Sequence, residues 1–512
     1  MDGMQKQGEH GRALSLEAIV VGVIISLVAG YWAICSVLIH RSFHSNGWDL
    51  GLIDQVLWNS AHGRLFEYSF RAISFAGDHW QPFLLVLVPL KWLDSGPELL
   101  LVVQAIVLAT AAIPLYAAAR MAGCRGAGAL AGAYLLGLGA ARAVSFDFHI
   151  EAFAPLLAFT ALWGLAQRRR VVFIAAALLI LTLKEDGALL SLALCWIAWF
   201  AFRERKPAAA VAVAATVYGL LATAVIIPHF RGADLNPFAE RYGYLGDSPT
   251  EALWGIVAHL DLVMHQLARS EVIQAIAIVL VSSALLPLLV PRLLPPLAVV
   301  TLLPLLSKDP AQGLLDLQYL LVPSTVALLI AAVAVRDRVW ERRPLTLGPR
   351  WAADGFARHS RRVWPSALLG LPVLLWLLQS PLPPSFAADL ERFDVDHHAS
   401  VARGFVREVP PDAIVSAQSP FVPHLSERRH IYQFPRVLDA EVVLLDDYGP
   451  IPVDDLAAGY ADCLAALPRL GFDEVRHDDG ISLWRKVRPA ESVPDVPVAC
   501  SGQHPQLEDA GE

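Results

Sequence analysis

Long apolar runs, separated by short polar segments, dominate the first three quarters of this 512-residue chain. The first run, 16–39, is long enough to cross a bilayer. Similar runs follow at 97–119, 127–144, 150–167, 171–183, 187–202, 207–227, 271–289, 293–306, from near 318 to 335, and 363–380. The pattern predicts an all-α polytopic membrane domain over residues 16–380, with about 11 transmembrane helices.

The polar segment 40–96, which follows the first run, contains two further apolar patterns. In NGWDLGLIDQVLWNSAHGRLF, residues 46–66, the apolar residues recur at helical spacing. This spacing predicts a short helix on the membrane surface, with Asp49 at its start as the N-cap. Residues 82–93 are short for a span and are broken by Pro89, so they predict a second surface helix.

Basic residues in the short loops set the expected orientation, because cytoplasmic loops collect lysine and arginine. Their distribution places residues 1–15 in the cytoplasm, and the odd number of spans places the C-terminal part outside. The polar segments 40–96 and 228–270 then become outer-face loops. The first apolar run is too long for the core of a cleaved signal peptide, so we expect an uncleaved first span.

After residue 380 the composition becomes that of a soluble domain. Short runs rich in β-branched and aromatic residues predict strands, and residues 454–467 predict a helix. The predicted strands are 413–417, 430–434, 441–447, 473–478 and 481–487. Residues 381–490 are therefore expected to form a small extracytoplasmic α/β domain, and the tail 491–512, rich in Pro, Glu and Asp, to be disordered.

The composition excludes an ordinary soluble enzyme. Apolar residues make up 55% of the chain and the mean hydropathy is +0.49, whereas soluble domains hold just under half apolar residues. The net charge of -8 says little about partners, since it arises largely in the last quarter. The five cysteines have no CxxC or metal-ligand spacing. Cys463 and Cys500 could form a bond outside the cell, but we expect two unpaired thiols.

The expected orientation brings ionisable residues from distant parts of the chain to one membrane face. They are Asp49, Asp54, His79, Asp147, His149, Glu151, Lys184, Glu185 and Asp186. Ionisable groups near bilayer depth usually face a cavity or one another. Asp147 and His149, with Asp49, would form an oxygen and imidazole set suited to Mg²⁺ or Mn²⁺. The alternative is that these charges only anchor the ends of spans.

Lys184, Glu185 and Asp186 are consecutive at the outer end of a span. The cluster either neutralises itself and ends the helix, or presents Lys184 to a phosphate while a neighbouring carboxylate orients it. In the long outer loop, Arg231 is a candidate for binding phosphate or sugar. For Arg241 we favour a solvated loop position.

Five separated motifs carry a resemblance to a known family: NGWDLGLIDQVLWNSAHGRLF, GDHWQPF, SFDFHIEAFAPLLAF, LTLKEDGALL and IVSAQSPFVPHLSERRHIYQFP. They cover most of residues 40–490 and resemble an uncharacterised family of bacterial multispanning proteins, catalogued as a domain of unknown function. That family in turn looks like the GT-C superfamily of membrane glycosyltransferases. GT-C enzymes carry acidic residues in their first two outer loops and a histidine between them. Asp49, His79 and Asp147 lie in comparable places.

The resemblance implies transfer of a sugar from a polyprenyl-phosphate carrier to a glycan, lipid or protein acceptor, at the outer face of a bacterial cytoplasmic membrane. It implies Asp49 as the catalytic base and Lys184 near the phosphate. Asp147 and His149 would hold a divalent cation, Mg²⁺ or Mn²⁺, or orient the donor. The remaining substrate-binding residues would be Asp54, His79, Glu185, Arg231 and Tyr319. No nucleic acid is expected as a partner.

Two alternatives belong to other functional classes. Intramembrane charges also mark translocation paths, so a lipid or glycan transporter or flippase is the first. The absence of a visible inverted repeat, and the gathering of polar residues at one face, argue against it. The second is a non-catalytic envelope protein whose outer domain binds a partner.

Overall fold

The computed structural model describes residues 16–93, 96–121, 127–232, 241–246, 249–340, 350–449, 455–489 and 500. Up to residue 379 it is helical, and a small sheet with two helices follows. The helices of the first part are Leu16–Arg41, Leu52–Ala61, Phe75–Asp78, Leu84–Leu87, Glu98–Thr110, Ala112–Met121, Ala127–Leu135, Leu138–Ser145, Phe153–Ala166, Arg170–Leu181, Gly187–Ala201, Arg205–Leu221, Ile227–Arg231, Pro249–Ala258, Leu260–Leu267, Ser270–Ser282, Leu294–Leu305, Pro310–Gly313, Leu321–Ala334 and Arg350–Gln379.

Five helical segments in the described part of the chain are long and apolar enough to cross a membrane. They are Leu16–Arg41, Glu98–Met121, Ala127–Ser145, Arg205–Arg231 and Pro310–Asp337. The pair Leu260–Leu267 and Ser270–Ser282, bent by 70°, would add a sixth. The other predicted spans are helical but shorter, among them Arg170–Leu181 and Gly187–Ala201. The protein thus has several membrane-spanning helices, and the number of about 11 stays a prediction.

Both short helices predicted within residues 40–96 are present, and their place on the membrane surface stays a prediction. The first begins as a π-helical turn, Gly47–Gly51, and continues as Leu52–Ala61. The second, Leu84–Leu93, is about 15 Å long at the usual helical rise, half the thickness of a hydrocarbon core. Asp49 was expected to be the N-cap of the first helix, and this was wrong. Asn46 is the cap, since its side-chain oxygen accepts a hydrogen bond from the Trp48 amide at 2.8 Å.

The C-terminal part contains all five predicted strands in one mixed sheet. The strands are β1 (Val415–Ala417), β2 (Ile431–Gln433), β3 (Val442–Asp446), β4 (Phe472–Asp478) and β5 (Ile481–Lys486). Their order is β2-β1-β3-β5-β4, where β1 is parallel to both neighbours and β5 is antiparallel to both of its own. The predicted helix is observed as Asp455–Ala466. A second helix, His397–Glu408, was not predicted; Asp396 caps it by accepting a hydrogen bond from the Ala399 amide at 2.8 Å.

The expectation of two unpaired thiols at Cys463 and Cys500 was wrong, because the two residues form a disulfide. Both cysteines are buried, and the Cys500 carbonyl accepts hydrogen bonds from the amides of Val437 and Leu438. The predicted disorder of the tail therefore does not hold at residue 500. The rest of 491–512 lies outside the described residues.

The sheet domain packs directly on the first surface helix. Gly47 and Gly51 face the segment Ser419–Leu425, which joins β1 to β2. A Cβ atom at Gly51 would lie 2.8 Å from a methyl group of Val422, so glycine allows this close approach. The predicted surface helix is consequently enclosed between the helical bundle and the sheet domain, and it carries Asp49 to their junction.

Candidate active site

Asp49 and His149 meet although 100 residues separate them in sequence. Asp49 lies on the π-helical turn Gly47–Gly51, and its Oδ1 is 3.1 Å from Nε2 of His149. Burial favours the neutral imidazole, but the hydrogen bond to Asp49 and the charge of that carboxylate raise the pKa of His149 above its ordinary value. The contact with Asp49 therefore favours the protonated ring of His149.

Asp147 adds a second carboxylate to this pair. It follows the end of the helix Leu138–Ser145, has a positive φ of 22°, and is only 6% exposed. Its Oδ2 accepts a hydrogen bond from the Asn46 amide at 2.8 Å. Burial, followed by the charge of Asp49, raises the pKa of Asp147 to about 8. Asp147 is thus mostly protonated at neutral pH.

Gln104 fixes residues 146–149, the link between the helix Leu138–Ser145 and the next helical turn, which carries Asp147 and His149. It projects from the helix Glu98–Thr110 and is fully buried. Its side-chain nitrogen donates to the carbonyls of Ala143 (3.1 Å) and Asp147 (2.6 Å), and its oxygen accepts from the His149 amide at 2.8 Å. One amide side chain thereby satisfies backbone groups that no helix pairs at this point.

A second polar group forms around Lys184, Glu185 and Asp186, between the helices Arg170–Leu181 and Gly187–Ala201. Lys184 Nζ lies 2.7 Å from Oε1 of Glu151. Although burial opposes its charge, the carboxylates around it, Glu151 foremost, raise the pKa of Lys184 above its ordinary value. Burial also raises the pKa of Asp186, to about 6, against the attraction of Lys184. Lys184 is therefore an ammonium group surrounded by the carboxyl groups of Glu151, Glu185 and Asp186.

His79 belongs to this second group. Its Nδ1 is 2.9 Å from Oε1 of Glu185, and the other oxygen of Glu185 accepts from the Trp80 amide at 3.1 Å. Burial acts to raise the pKa of Glu185, but the imidazole of His79 outweighs it and holds this pKa below its ordinary value. Tyr319 lies near enough to Lys184 for the charge of Lys184 to act on it.

The two groups form one continuous network of charges. His149 interacts with Asp49 and Asp147 on one side and with Glu151 on the other, and Glu151 in turn holds Lys184. The resemblance assigned a catalytic, metal-binding or substrate-binding role to nine residues. The structure brings seven of them together: Asp49, His79, Asp147, His149, Lys184, Glu185 and Tyr319.

The remaining two lie elsewhere. Asp54 is fully buried below the sheet domain, where it forms an ion pair with Lys91 and its Oδ2 accepts from the Ser426 hydroxyl at 2.8 Å. Arg231 packs against the turn before His79 and donates from Nε to the Gly77 carbonyl at 3.0 Å. Arg241, for which a solvated loop position was expected, has a side chain that is 35% exposed.

Arg241 also contacts the segment that precedes Tyr319. Its backbone carbonyl accepts from the Lys308 amide at 2.9 Å, and its Nη1 donates to Oε1 of Gln312 at 3.4 Å. It lies close enough to Tyr319 for its charge to act on the phenol. Arg241 thus approaches the Lys184 group from the long loop.

The predicted metal set does not present a preformed site. Asp49 and His149 are hydrogen-bonded to each other, and an oxygen of Asp147 is taken by the Asn46 amide. Among the described residues, no three His, Cys, Asp or Glu side chains are arranged so that they could hold a metal ion. The metal role of Asp147 and His149 stays a prediction.

Three residues at the site were missed from the sequence: Gln104, Asn46 as a cap, and Arg392, whose charge reaches Asp147. Gln104 has one available signal, since it is an uncharged polar residue within an otherwise apolar span. Arg392 has none, because it lies in a single 3-10 turn, Glu391–Phe393, between the helix Arg350–Gln379 and the sheet domain.

Two crystal structures of ArnT from Cupriavidus metallidurans are similar to the chain. The one bound to undecaprenyl phosphate shares 14% sequence identity over 92% of this chain and 98% of that chain, with a TM-score of 0.48. The apo structure shares 13% identity over the same fractions, with a TM-score of 0.47. No curated protein sequence matches the chain.

A family model matches a large part of the sequence. It is described as "Predicted membrane protein (DUF2079)", and the match extends from residue 39 to residue 453. These residues include the π-helical turn of Asp49, both polar groups of the candidate site, and strands β1 to β3. The resemblance to a family of unknown function is confirmed, and the chain belongs to the DUF2079 family of predicted membrane proteins.

Proposed function

We propose that this protein transfers a sugar from a polyprenyl-phosphate carrier to an acceptor at the outer face of the cytoplasmic membrane. The observation that supports the proposal is the convergence of Asp49, His149 and Lys184, from three distant segments, on one network of charges. Glycosyl transfer from a phosphate carrier needs a base for the acceptor hydroxyl and a cation for the leaving phosphate. The network contains both.

Asp49 is proposed as the base. The acceptor hydroxyl attacks the anomeric carbon of the sugar, and its proton passes to the Asp49 carboxylate. The bond between that carbon and the carrier phosphate breaks, and the phosphate oxygen keeps the electron pair. The ring of His149, 3.1 Å from Asp49, holds this carboxylate in place through a hydrogen bond. Asp147 remains protonated beside it, because burial raises its pKa to about 8.

Lys184 is proposed as the cation that stabilises charge on the departing phosphate. Its ammonium now contacts Glu151, so binding of the carrier exchanges that contact for a phosphate oxygen. Tyr319 and Arg241 stand near it and can donate further hydrogen bonds. The prenyl chain of the carrier can remain in the bilayer while its phosphate reaches this group.

The other predicted substrate-binding residues divide by location. His79 and Glu185, paired within the Lys184 group, are proposed to orient the donor. Arg231, against the turn before His79, is proposed to assist from the long loop. The proposal does not extend to Asp54, because its contacts join the helical part to the sheet domain.

Reconstituted transfer tests the proposal. The purified protein, in liposomes that contain a radiolabelled polyprenyl-phosphate sugar and a membrane extract as the source of acceptor, is expected to move label from the carrier to a new product. Asp49→Asn should reduce the rate by about a hundredfold or more, as expected for loss of a catalytic base. Asp462→Asn, on an exposed position of the helix Asp455–Ala466, is the matched control and should retain the rate. A folded Asp49→Asn protein with full activity would contradict the role of Asp49.

A further inference from the structure

A cavity of about 140 Å³ opens beside the Asp147 link and takes no part in the steps above. Its wall comes from the end of the helix Leu138–Ser145, from the turn before Tyr319, and from the segment that joins the last apolar helix to the sheet domain. The lining residues are Arg142, Ser145, Phe146, Asp316, Leu317, Gln379, Pro381, Ala387 and Arg392. Two arginines face one carboxylate, so the lining has an excess of positive charge.

Arg392 lies at this cavity, and its guanidinium makes one hydrogen bond to the described residues. Its Nη2 donates to the Ser145 carbonyl at 3.2 Å, which fixes the side chain against the helix end. Within the described residues, no carboxylate lies within 4 Å of it. A guanidinium carries five N–H donors in a fork that matches phosphate and carboxylate oxygens. Since Arg392 is also half-buried, its charge is poorly hydrated and suited to bind an anion.

Arg142 stands opposite, with its side chain only 17% exposed. It donates to the Leu315 carbonyl at 3.3 Å and forms an ion pair of 3.0 Å with Asp316, whose own side chain is more than half exposed to solvent. Leu315 and Leu317 on either side of Asp316 both have positive φ angles, near 50°. This backbone conformation is costly for leucine, and such residues concentrate at functional sites.

The position of the cavity relative to the charge network indicates what the anion belongs to. Arg392 acts electrostatically on Asp147, which lies next to Asp49, whereas Lys184 lies at the far end of the network beyond His149 and Glu151. In the proposed reaction the carrier phosphate occupies the Lys184 end. A second anionic group at the Arg392 end therefore belongs to the other substrate.

We infer that the cavity between Arg142 and Arg392 is an anion-binding subsite for the acceptor, and that the acceptor carries a phosphate or carboxylate group near the hydroxyl that is glycosylated. The assignment to the acceptor rests on the proposed function, whereas the anion site itself does not. A volume of about 140 Å³ accommodates a phosphate group. Bound there, the anion would hold the adjoining hydroxyl toward Asp49.

Binding of inorganic pyrophosphate to the full-length protein, in nanodiscs of phosphatidylcholine, tests the site by calorimetry. Arg392→Gln and Arg142→Gln should each weaken binding about tenfold or more, as expected for loss of a charged hydrogen-bonding partner. Arg407→Gln, at an exposed position of the helix His397–Glu408, is the matched control and should bind as the wild type does.

Two further variants keep the result interpretable. Ala387→Trp narrows the cavity without a change of charge and should weaken binding, while Arg392→Lys should restore part of it. Pyrophosphate binding that is absent, or equal in the wild type and both arginine variants, would overturn the inference. Loss of transfer in Asp49→Asn bears only on the proposed reaction, so the two failures are distinguishable.

The same preparation identifies the source of the anion. Phosphatidic acid in the nanodisc carries a phosphomonoester at headgroup depth. If it competes with pyrophosphate in an Arg392-dependent way, the subsite takes a lipid-borne phosphate. If it does not compete while pyrophosphate binds, the subsite takes an anion from a soluble molecule. Both results support the site and differ in the class of acceptor.

Discussion

Gln104 is a buried amide in an apolar helix; two of its three hydrogen bonds go to the link that carries Asp147 and His149, and the third goes to Ala143 near the end of the preceding helix. Gln104→Leu keeps the volume but leaves two carbonyls and one backbone amide without partners. We expect a loss of about 1–3 kcal/mol in the free energy of unfolding. Thermal unfolding of the detergent-solubilised protein measures it.

Activity provides the second readout for this variant. Because the link positions the partner of Asp49, Gln104→Leu should also lower the rate of the reconstituted transfer. Thr110→Val is the control, since Thr110 belongs to the same helix but its hydroxyl bonds only within that helix. Equal stability and rate in Gln104→Leu and Thr110→Val would show that the amide does not hold the link.

His398 is the residue whose titration should affect the sheet domain. Its two ring nitrogens each lie 3.0 Å from a carboxylate oxygen, one of Asp446 and one of Asp479. Burial opposes the charged ring, but these two contacts raise the pKa of His398 above its ordinary value. A raised folded-state pKa means that the contribution to stability is complete below the ordinary pKa, about 6.5. That contribution is lost as the pH rises through the folded-state value.

His398→Gln should therefore lower the melting temperature more near about pH 5.5 than near about pH 8.5. The measurement is a pH series of thermal unfolding for the wild type, His398→Gln and His397→Gln. The last variant alters the exposed neighbour on the same helix. A difference between wild type and His398→Gln that is constant across the series would contradict the linkage.

At the level of single residues, the sequence indicated the charged members of the site and not the groups that hold them. Asp49, Asp147 and Lys184 could be chosen because a charged residue at the end of an apolar run is energetically costly and usually pairs with another group or faces a cavity. The hydrogen bond from the Asn46 amide to Asp147 could not be predicted, since it depends on how two distant segments pack. The pairing of Cys463 with Cys500 was missed for the same reason.

At the level of elements, the first surface helix is more enclosed than its periodicity indicates. Asp54 and Gln55 lie outside its apolar face in sequence, yet both are fully buried. The sheet domain covers them: the Gln55 side-chain nitrogen donates to the Arg429 carbonyl at 3.0 Å, and the Ser426 hydroxyl donates to Asp54. Helical periodicity shows one buried face, and it cannot show that a later domain buries the other.

Asp54 and Lys91 form the charged centre of this contact. The Lys91 side chain is 3% exposed and is paired with Asp54 and with Glu427 of the sheet domain. Asp54→Ala leaves a buried ammonium with one carboxylate less, and we expect it to destabilise the protein by about 3 kcal/mol. Limited proteolysis should then cut the junction between the helical part and the sheet domain faster than in the wild type.

Ser426→Ala is the graded comparison, because it removes only the hydroxyl that donates to Asp54. It should cost about 1 kcal/mol. The double variant Asp54→Leu with Lys91→Met removes both charges and should be milder than Asp54→Ala alone. If the single and double variants were equally destabilised, the loss would come from packing and not from the unpaired charge.

At the level of the whole molecule, every predicted strand of the sheet domain was found, whereas the number of spans remains open. Strands such as β3 (Val442–Asp446) are recognisable because β-branched residues are bounded by turn residues. Helices such as Arg170–Leu181 are apolar but short, at about 18 Å of helical rise. Length alone does not decide whether they cross the bilayer, so orientation has to be tested directly.

Two observations favour the orientation in which the sheet domain lies outside. The turns after Ala166 and Ala201 carry basic residues, Arg168 to Arg170 and Arg203 to Lys206, as cytoplasmic loops do. The sheet domain contains the Cys463–Cys500 disulfide, and such bonds persist in oxidising compartments.

Alkaline phosphatase, which needs its own disulfides to be active, should therefore be active when fused after Arg488 and inactive when fused after Arg169 or Arg203. Fluorescent-protein fusions at the same positions should give the opposite pattern. Activity after Arg203 together with inactivity after Arg488 would show the opposite topology. Asp49 and Lys184 would then lie on the cytoplasmic side, and the proposed transfer at the outer face would be ruled out.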